Sequence, residues 1–138
     1  CSVQMISPES YRAIQLPVER RMAARIQPYG IHHCGSNLHR IAPVYAETGA
    51  IFYDVGWGSD PAACRAALPD AFLNLRLSPV RMLQGSPAEI AADTERLLRA
   101  AGPLEGVGVC CVNMDAGTPD DNIFAMFDVV QRHRAYGA

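Results

Sequence analysis

A histidine and a cysteine stand two residues apart in the run Ile31-His32-His33-Cys34-Gly35. Alternate side chains of an extended chain share a face, so His32 and Cys34 project together while His33 projects the other way. Imidazole nitrogen and thiolate sulfur are ligands that zinc prefers. A further sulfur is on offer far along the chain, in Val109-Cys110-Cys111-Val112. Three protein ligands and one open position make a catalytic rather than a structural zinc site. A cysteine is equally a small buried hydrophobe, so the elements around the pair have to carry the argument.

Those elements are legible in order. Ser7-Pro8-Glu9 reads as a helix start, with Ser as N-cap, Pro at the first position and an acid in the first turn. This helix is expected to run to about Ile26, kinked by Pro17. Pro28 and Gly30 then punctuate the chain before a strand carrying His32. Leu38 to Tyr45 reads as a helix ended by Gly49, and Ala50 to Val55 as a strand that places Asp54 at its end. Asp60-Pro61 caps a short helix, Ala62 to Leu68, and residues 71–77 form a strand with Asn74 and Arg76 alternating against leucines. Ser86-Pro87-Ala88-Glu89 is a capping box opening a helix to Ala101, with Ile90, Thr94, Leu97 and Leu98 near one face. Gly102-Pro103 stops it. Val107 to Met114 is the fourth strand. Thr118-Pro119-Asp120-Asp121 opens the last helix, whose stripe Ile123, Met126, Phe127, Val130 is expected to face the core.

Strands alternating with helices imply an α/β protein with a parallel sheet. In such folds the chemistry sits at the carboxyl ends of the strands, where His32, Cys34, Asp54, Cys110 and Cys111 all fall. Four strand–helix units make half of a (β/α)8 barrel, which needs about 250 residues, whereas this chain has 138. The chain is then a half-barrel that continues into a missing N-terminal half, or one that pairs with another half in a homo-oligomer, or else an open sheet.

Composition sets the outer bounds. Half the residues are apolar and the net charge is -2, which suits one soluble domain over residues 1–138. No apolar run is long enough for a membrane span, and no signal peptide is apparent, although the chain opens on Cys1 rather than Met. Five cysteines in no disulfide-framework spacing point to a reducing, cytoplasmic setting. All 12 basic residues are Arg, as in a GC-rich bacterial genome. They are scattered among 14 acids, which argues against a nucleic-acid footprint. With no Lys, Schiff-base chemistry from this chain is excluded.

The residues resemble a known family. Ser7-Pro8-Glu9-Ser10-Tyr11 through Leu16-Pro17 is similar to an SPE…LP helix. Ile31-His32-His33-Cys34-Gly35 is similar to an H-x-C-G zinc motif, and Gly85-Ser86-Pro87-Ala88-Glu89-Ile90 to a GTPEEI segment. Cys111 with Thr118-Pro119-Asp120-Asp121-Asn122-Ile123-Phe124-Ala125-Met126 is similar to a closing C…TP-x-EN-x-x-AM. Together they resemble the C-terminal half of the uroporphyrinogen decarboxylase superfamily, closest to its zinc-dependent corrinoid methyltransferases of the methylcobamide:coenzyme M type. The resemblance implies a TIM (β/α)8 barrel, of which this chain covers about four C-terminal βα units. It implies zinc held by His32, Cys34 and a distant Cys, and a methyl group moved between a corrinoid carried by a partner protein and a small-molecule thiol or pterin acceptor. Cys111 fits the family spacing better. Cys110 is favoured instead if Val107 and Val109 face the helices. Where the family has GN-x-DP, this chain has Leu75-Arg76-Leu77-Ser78-Pro79, a departure that bears on the substrate.

Other residues carry paired readings. Asp54 contacts substrate or a zinc ligand, or else caps a loop. Arg76 binds an anionic group such as a carboxylate or sulfonate, or else forms a salt bridge. Trp57 stacks on a cofactor or packs under its loop. His33 is structural, Cys64 buried, and His39 and His133 lie on helix surfaces. The alternatives to the methyltransferase are a metal-independent decarboxylase-like enzyme and a non-catalytic half-barrel subunit.

Overall fold

The computed structural model describes residues 2–134, so Cys1 lies outside the described residues. Four strands alternate with helices: β1 (Gly30–His33), β2 (Phe52–Val55), β3 (Phe72–Arg76) and β4 (Val107–Cys110). They pair in parallel in the order β1-β2-β3-β4. The helices are α1 (Pro8–Ile14), α2 (Leu16–Ala23), α3 (Leu38–Tyr45), α4 (Pro61–Ala67), α5 (Pro79–Gln84), α6 (Pro87–Ala101) and α7 (Asp120–Arg134). Sequential parallel strands with all helices on one face make a partial TIM barrel. A doubly wound sheet would reverse its strand order and carry helices on both faces.

The pleat separates two faces. Ile31, His33, Tyr53, Val55, Leu73 and Leu75 are buried against the helices, and Val107 and Val109 pack against that core. The alternate residues point to the other, open face. There Gly30, Phe52 and Phe72 lie in one row, and His32, Asp54, Asn74 and Gly108 in the next. Phe52 and Phe72 stack with centroids 5.5 Å apart and stay about two-fifths exposed. Ile14, Val18 and Met22 on the first two helices, and Ile26 just after them, are also exposed. In a closed barrel, strands and helices of a second half would cover both surfaces.

Local signals mostly act as read. Ser7 and Asp60 cap α1 and α4 through their side chains, and Ser86 with Glu89 forms the capping box of α6. Ile90, Thr94, Leu97 and Leu98 of α6 are all buried. Three expectations change. Pro17 does not kink one long helix; it sits in the first turn of a second one, so the chain divides at Gln15 into α1 and α2. The six-residue α5, capped by Ser78, is an element the sequence reading left out. On α7 the buried face is Asn122, Met126 and Val129, while Phe127 is half exposed. That face is rotated because Asn122 donates from Nδ2 to the carbonyls of Met82 and Gly85, each at 2.8 Å.

One buried charge ties the amino ends of the strands together. Arg65 on α4 is 9% exposed and has no carboxylate partner among the described residues. Its guanidinium donates to the carbonyls of Ala101, Leu68, Pro69, Ala71 and Gly106 at 2.7–3.1 Å. These belong to the ends of α4 and α6 and to the segments entering β3 and β4, so one planar fork holds four pieces of chain.

Candidate functional site

The site forms at the carboxyl ends of β1, β2 and β3 on the open face. His32 and Asp54 are direct register partners, and the imidazole Nδ1 lies 2.5 Å from Asp54 Oδ2. An ionised carboxylate only accepts, so Nδ1 carries the proton and Nε2 presents its lone pair. Cys34 Sγ lies 2.8 Å from Nε2. Carboxylate, imidazole and thiol therefore form one chain across two strands. The hydrogen bond to His32, whose Nε2 can take up the thiol proton, pulls the Cys34 thiol below its ordinary value, and the nearby Arg76 charge adds to this.

Arg76 fixes the arrangement from below. Its side chain is 3% exposed. Nε donates to Asp54 Oδ1 at 2.8 Å and Nη2 to the His33 carbonyl at 3.2 Å. The same Nη2 lies 3.2 and 3.4 Å from the two ring nitrogens of His32. Asp54 thus has one oxygen on the guanidinium and one on the imidazole. The sequence reading offered Arg76 an anionic ligand or a salt bridge, and the structure places it in the salt bridge.

The loops that carry the site are fitted to one another. A Cβ on Gly35 would meet the Gln4 side chain at 2.1–2.5 Å, and one on Gly56 would meet the Gly35 carbonyl oxygen at 2.0 Å. The glycine after Cys34 therefore lets the amino-terminal segment lie against the thiol-bearing loop, which places Gln4 at the site although no sequence signal marked it.

Of the two candidate distant thiols, Cys110 faces the site. It is in register with Arg76 and accepts from Asn74 Nδ2 at 3.1 Å. Burial pushes its thiol up, with the negative field of Asp54 next in size. Cys111 points the other way, packs against the core and lies 3.9 Å from the Leu77 carbonyl. Its thiol is raised by burial and then by Cys110. Family spacing favoured Cys111. Strand alternation points to Cys110 instead, because Val107 and Val109 take the helix-facing positions and leave Cys110 on the open face.

The donor set fits zinc through its first two members. A ligating imidazole characteristically hands its other N–H to a carboxylate, as His32 does. Cys110 stands on β4, three inter-strand spacings or about 14 Å along the sheet from β1. Among the described residues, no three His, Cys, Asp or Glu side chains come together closely enough to hold a metal ion. The structure thus presents a preformed pair and a second sulfur on the same face.

Other residues fall away from the site. His33 is buried, with Nδ1 3.0 Å from Tyr45 Oη and Nε2 3.1 Å from Asn37 Oδ1, and burial lowers its basicity. His39 is a half-buried bracket, not a free surface residue, since Nδ1 accepts the Asp60 N–H. His133 pairs with Glu95 at 2.8 Å between α7 and α6. Cys64 is fully buried, its thiol pushed up to about 12.

The model of the uroporphyrinogen decarboxylase family matches residues 1–133. The chain belongs to the uroporphyrinogen decarboxylase family. A uroporphyrinogen decarboxylase of Gloeobacter violaceus is 27% identical over 135 residues, covering 91% of this chain and 38% of that protein. The solved structure of a methyltransferase from Methanosarcina mazei superimposes with a TM-score of 0.75 at 20% identity, over 94% of this chain and 38% of that one. At that identity the likeness is one of fold. The chain spans about two-fifths of the length of both relatives, which agrees with the partial barrel. Among the described residues, no helix is long and apolar enough to cross a membrane.

Proposed function

We propose that this chain is the metal-bearing half of a zinc-dependent methyltransferase, which moves a methyl group between a corrinoid protein and a thiol acceptor. One observation carries the reading: the Asp54–His32–Cys34 chain of contacts on the open face. His32 Nε2 and Cys34 Sγ would hold the ion, and Cys110, on the same face, is the sulfur that closure of the barrel would have to bring in as third donor. Bound there, zinc would supply the positive charge that keeps an acceptor thiol ionised at neutral pH, and thiolate is the attacking form of sulfur. Asp54 holds the His32 proton at Nδ1, so the Nε2 lone pair stays available. Arg76 holds Asp54 in that orientation. The cytoplasm, where thiols stay reduced, is the compartment that suits Cys34 and Cys110.

A second reading rests on the decarboxylase from Gloeobacter violaceus at 27% identity. It needs no metal and gives the thiols no task, whereas the contact between His32 and Cys34 does. The test assembles the chain with the amino-terminal half of its barrel and supplies methylcobalamin with a small alkanethiol. Thiol methylation that a chelator abolishes supports the methyltransferase. Porphyrinogen decarboxylation that persists with chelator replaces it.

A further inference from the structure

The loop after β2 carries the chain's single tryptophan, Trp57, and is held rigidly. Gly58 adopts φ +84°, a backbone region open to glycine. Ser59 Oγ accepts the Leu38 N–H at 3.1 Å and lies 3.4 Å from the Gly35 carbonyl. The Asp60 N–H donates to His39 Nδ1 at 3.1 Å. Despite these anchors, Trp57 is 50% exposed. A large aromatic kept out of the core on a fixed loop is placed for contact with something else.

Trp57 stands at the rim of a cavity of about 610 Å³, within the range of small-molecule sites. The cavity lies between the start of α4 and the flank of α6, and Leu97, Ser78, Arg81, Asp93 and Arg96 line it. Arg76 also lines it, with its guanidinium already engaged by Asp54 of the His32 site.

The charges in this cavity are arranged around one carboxylate. Arg81 Nε lies 3.3 Å from Asp93 Oδ2, and Arg96 Nη2 lies 3.1 Å from Asp93 Oδ1. Arg81 Nη1 also lies 3.3 Å from Glu89, whose other oxygen is taken by the capping box. Charge-assisted N–H···O bonds prefer about 2.7–2.9 Å, so these contacts are loose. Both guanidiniums keep further N–H groups without a partner among the described residues. Asp93 shows the chemistry that the two forks accept together, which is a carboxylate shared between them.

We propose that this cavity binds a small flat heteroaromatic carboxylate, with its ring on Trp57 and its carboxylate on Arg81 and Arg96. The site needs no metal and does not rest on the proposed methyl transfer.

The experiment uses the full polypeptide in the presence of a chelator. It is titrated with nicotinate (ring and charge), nicotinamide (ring alone) and acetate (charge alone). Binding is read by calorimetry and by the emission of Trp57, which has no other tryptophan to mask it. Nicotinate is expected to bind with a dissociation constant at or below about 1 mM, and the other two at least about tenfold more weakly. Arg81→Gln and Arg96→Gln should each weaken nicotinate binding by about tenfold, the loss of one charge-assisted bond. Arg40→Gln, an exposed arginine elsewhere, should leave it unchanged. Trp57→Phe should keep the calorimetric signal, and Trp57→Ala should lose it. Circular dichroism checks that each variant folds. The proposal is overturned by no binding up to about ten times that concentration, by equal binding of nicotinamide, or by arginine variants that bind as the parent does.

Discussion

Replacing Arg76 by Met tests the electrostatics of the site in isolation from its chemistry. Arg76 is 3% and Asp54 14% exposed at the side chain, so water cannot take over the lost contact. Removing one partner of a buried pair costs about 3–5 kcal/mol, because the remaining charge is stranded. Asp54 keeps His32, which places the expected loss near 3 kcal/mol, the low end of that range. For a chain of this length that is a fall of about 10 °C in Tm. Met fills much of the volume of the arginine stem, so a cavity contributes little. Arg76→Lys should recover only part of the loss, since a single ammonium cannot reach Asp54 and the His33 carbonyl with fork geometry. A double-mutant cycle with Asp54→Asn, read by urea unfolding, should give a coupling of about 2 kcal/mol. Arg81→Met, which breaks exposed pairs, is the control at about 0.5 kcal/mol. A loss for Arg76→Met no larger than that of the control would refute the argument that Arg76 holds the site together.

Other outcomes follow from the same geometry. Arg65→Met leaves five carbonyls without their donor, and should cost at least about 3 kcal/mol by thermal unfolding. Arg65→Lys should fail to restore it, since an ammonium offers three donors where five contacts exist. Iodoacetamide at neutral pH should label Cys34 before Cys110 and Cys111, because only the Cys34 thiol is held below its ordinary value. Peptide mass spectrometry showing Cys110 modified first would contradict this. Burial holds folded His33 less basic than the unfolded side chain. Above about pH 6.5 both states are neutral there. As pH falls below that value, the unfolded chain takes up the proton first and stability drops. His33→Gln should flatten that part of a Tm-against-pH profile, and an unchanged slope would remove His33 as its source.

Much of the architecture could be read from residue order alone. Caps at Ser7, Asp60 and Ser86 each fix a helix start with a side-chain oxygen, and the strand at residues 71–77 shows its two faces by alternating Asn74 and Arg76 with leucines. The distinction between Cys110 and Cys111 was harder, because a shift of one residue turns a strand's side chains to the opposite face. The packing of Val107 and Val109 against the core is what turns Cys110 to the open face. On α7 the apolar spacing finds Met126 and Ile123 but also points to Phe127, which is half exposed. The anchor of this helix is Asn122, a polar residue whose partners are backbone carbonyls of another helix, and apolar periodicity cannot register such a contact. Arg65 was invisible on the same ground, since carbonyls of Ala71 and Gly106 leave no trace in residue type. The pairing of His32 with Asp54 depends on the register between β1 and β2, which no local pattern specifies.

Zinc content is the measurement that bears most directly on the metal site. Reduced protein reconstituted with zinc, freed of excess and assayed for metal should retain about one equivalent per chain. Cys34→Ala, His32→Ala and Cys110→Ala should each drop below about half an equivalent, while Cys111→Ala should match the parent. Retention below about half an equivalent in the parent, or a content indifferent to Cys34→Ala, would contradict the account.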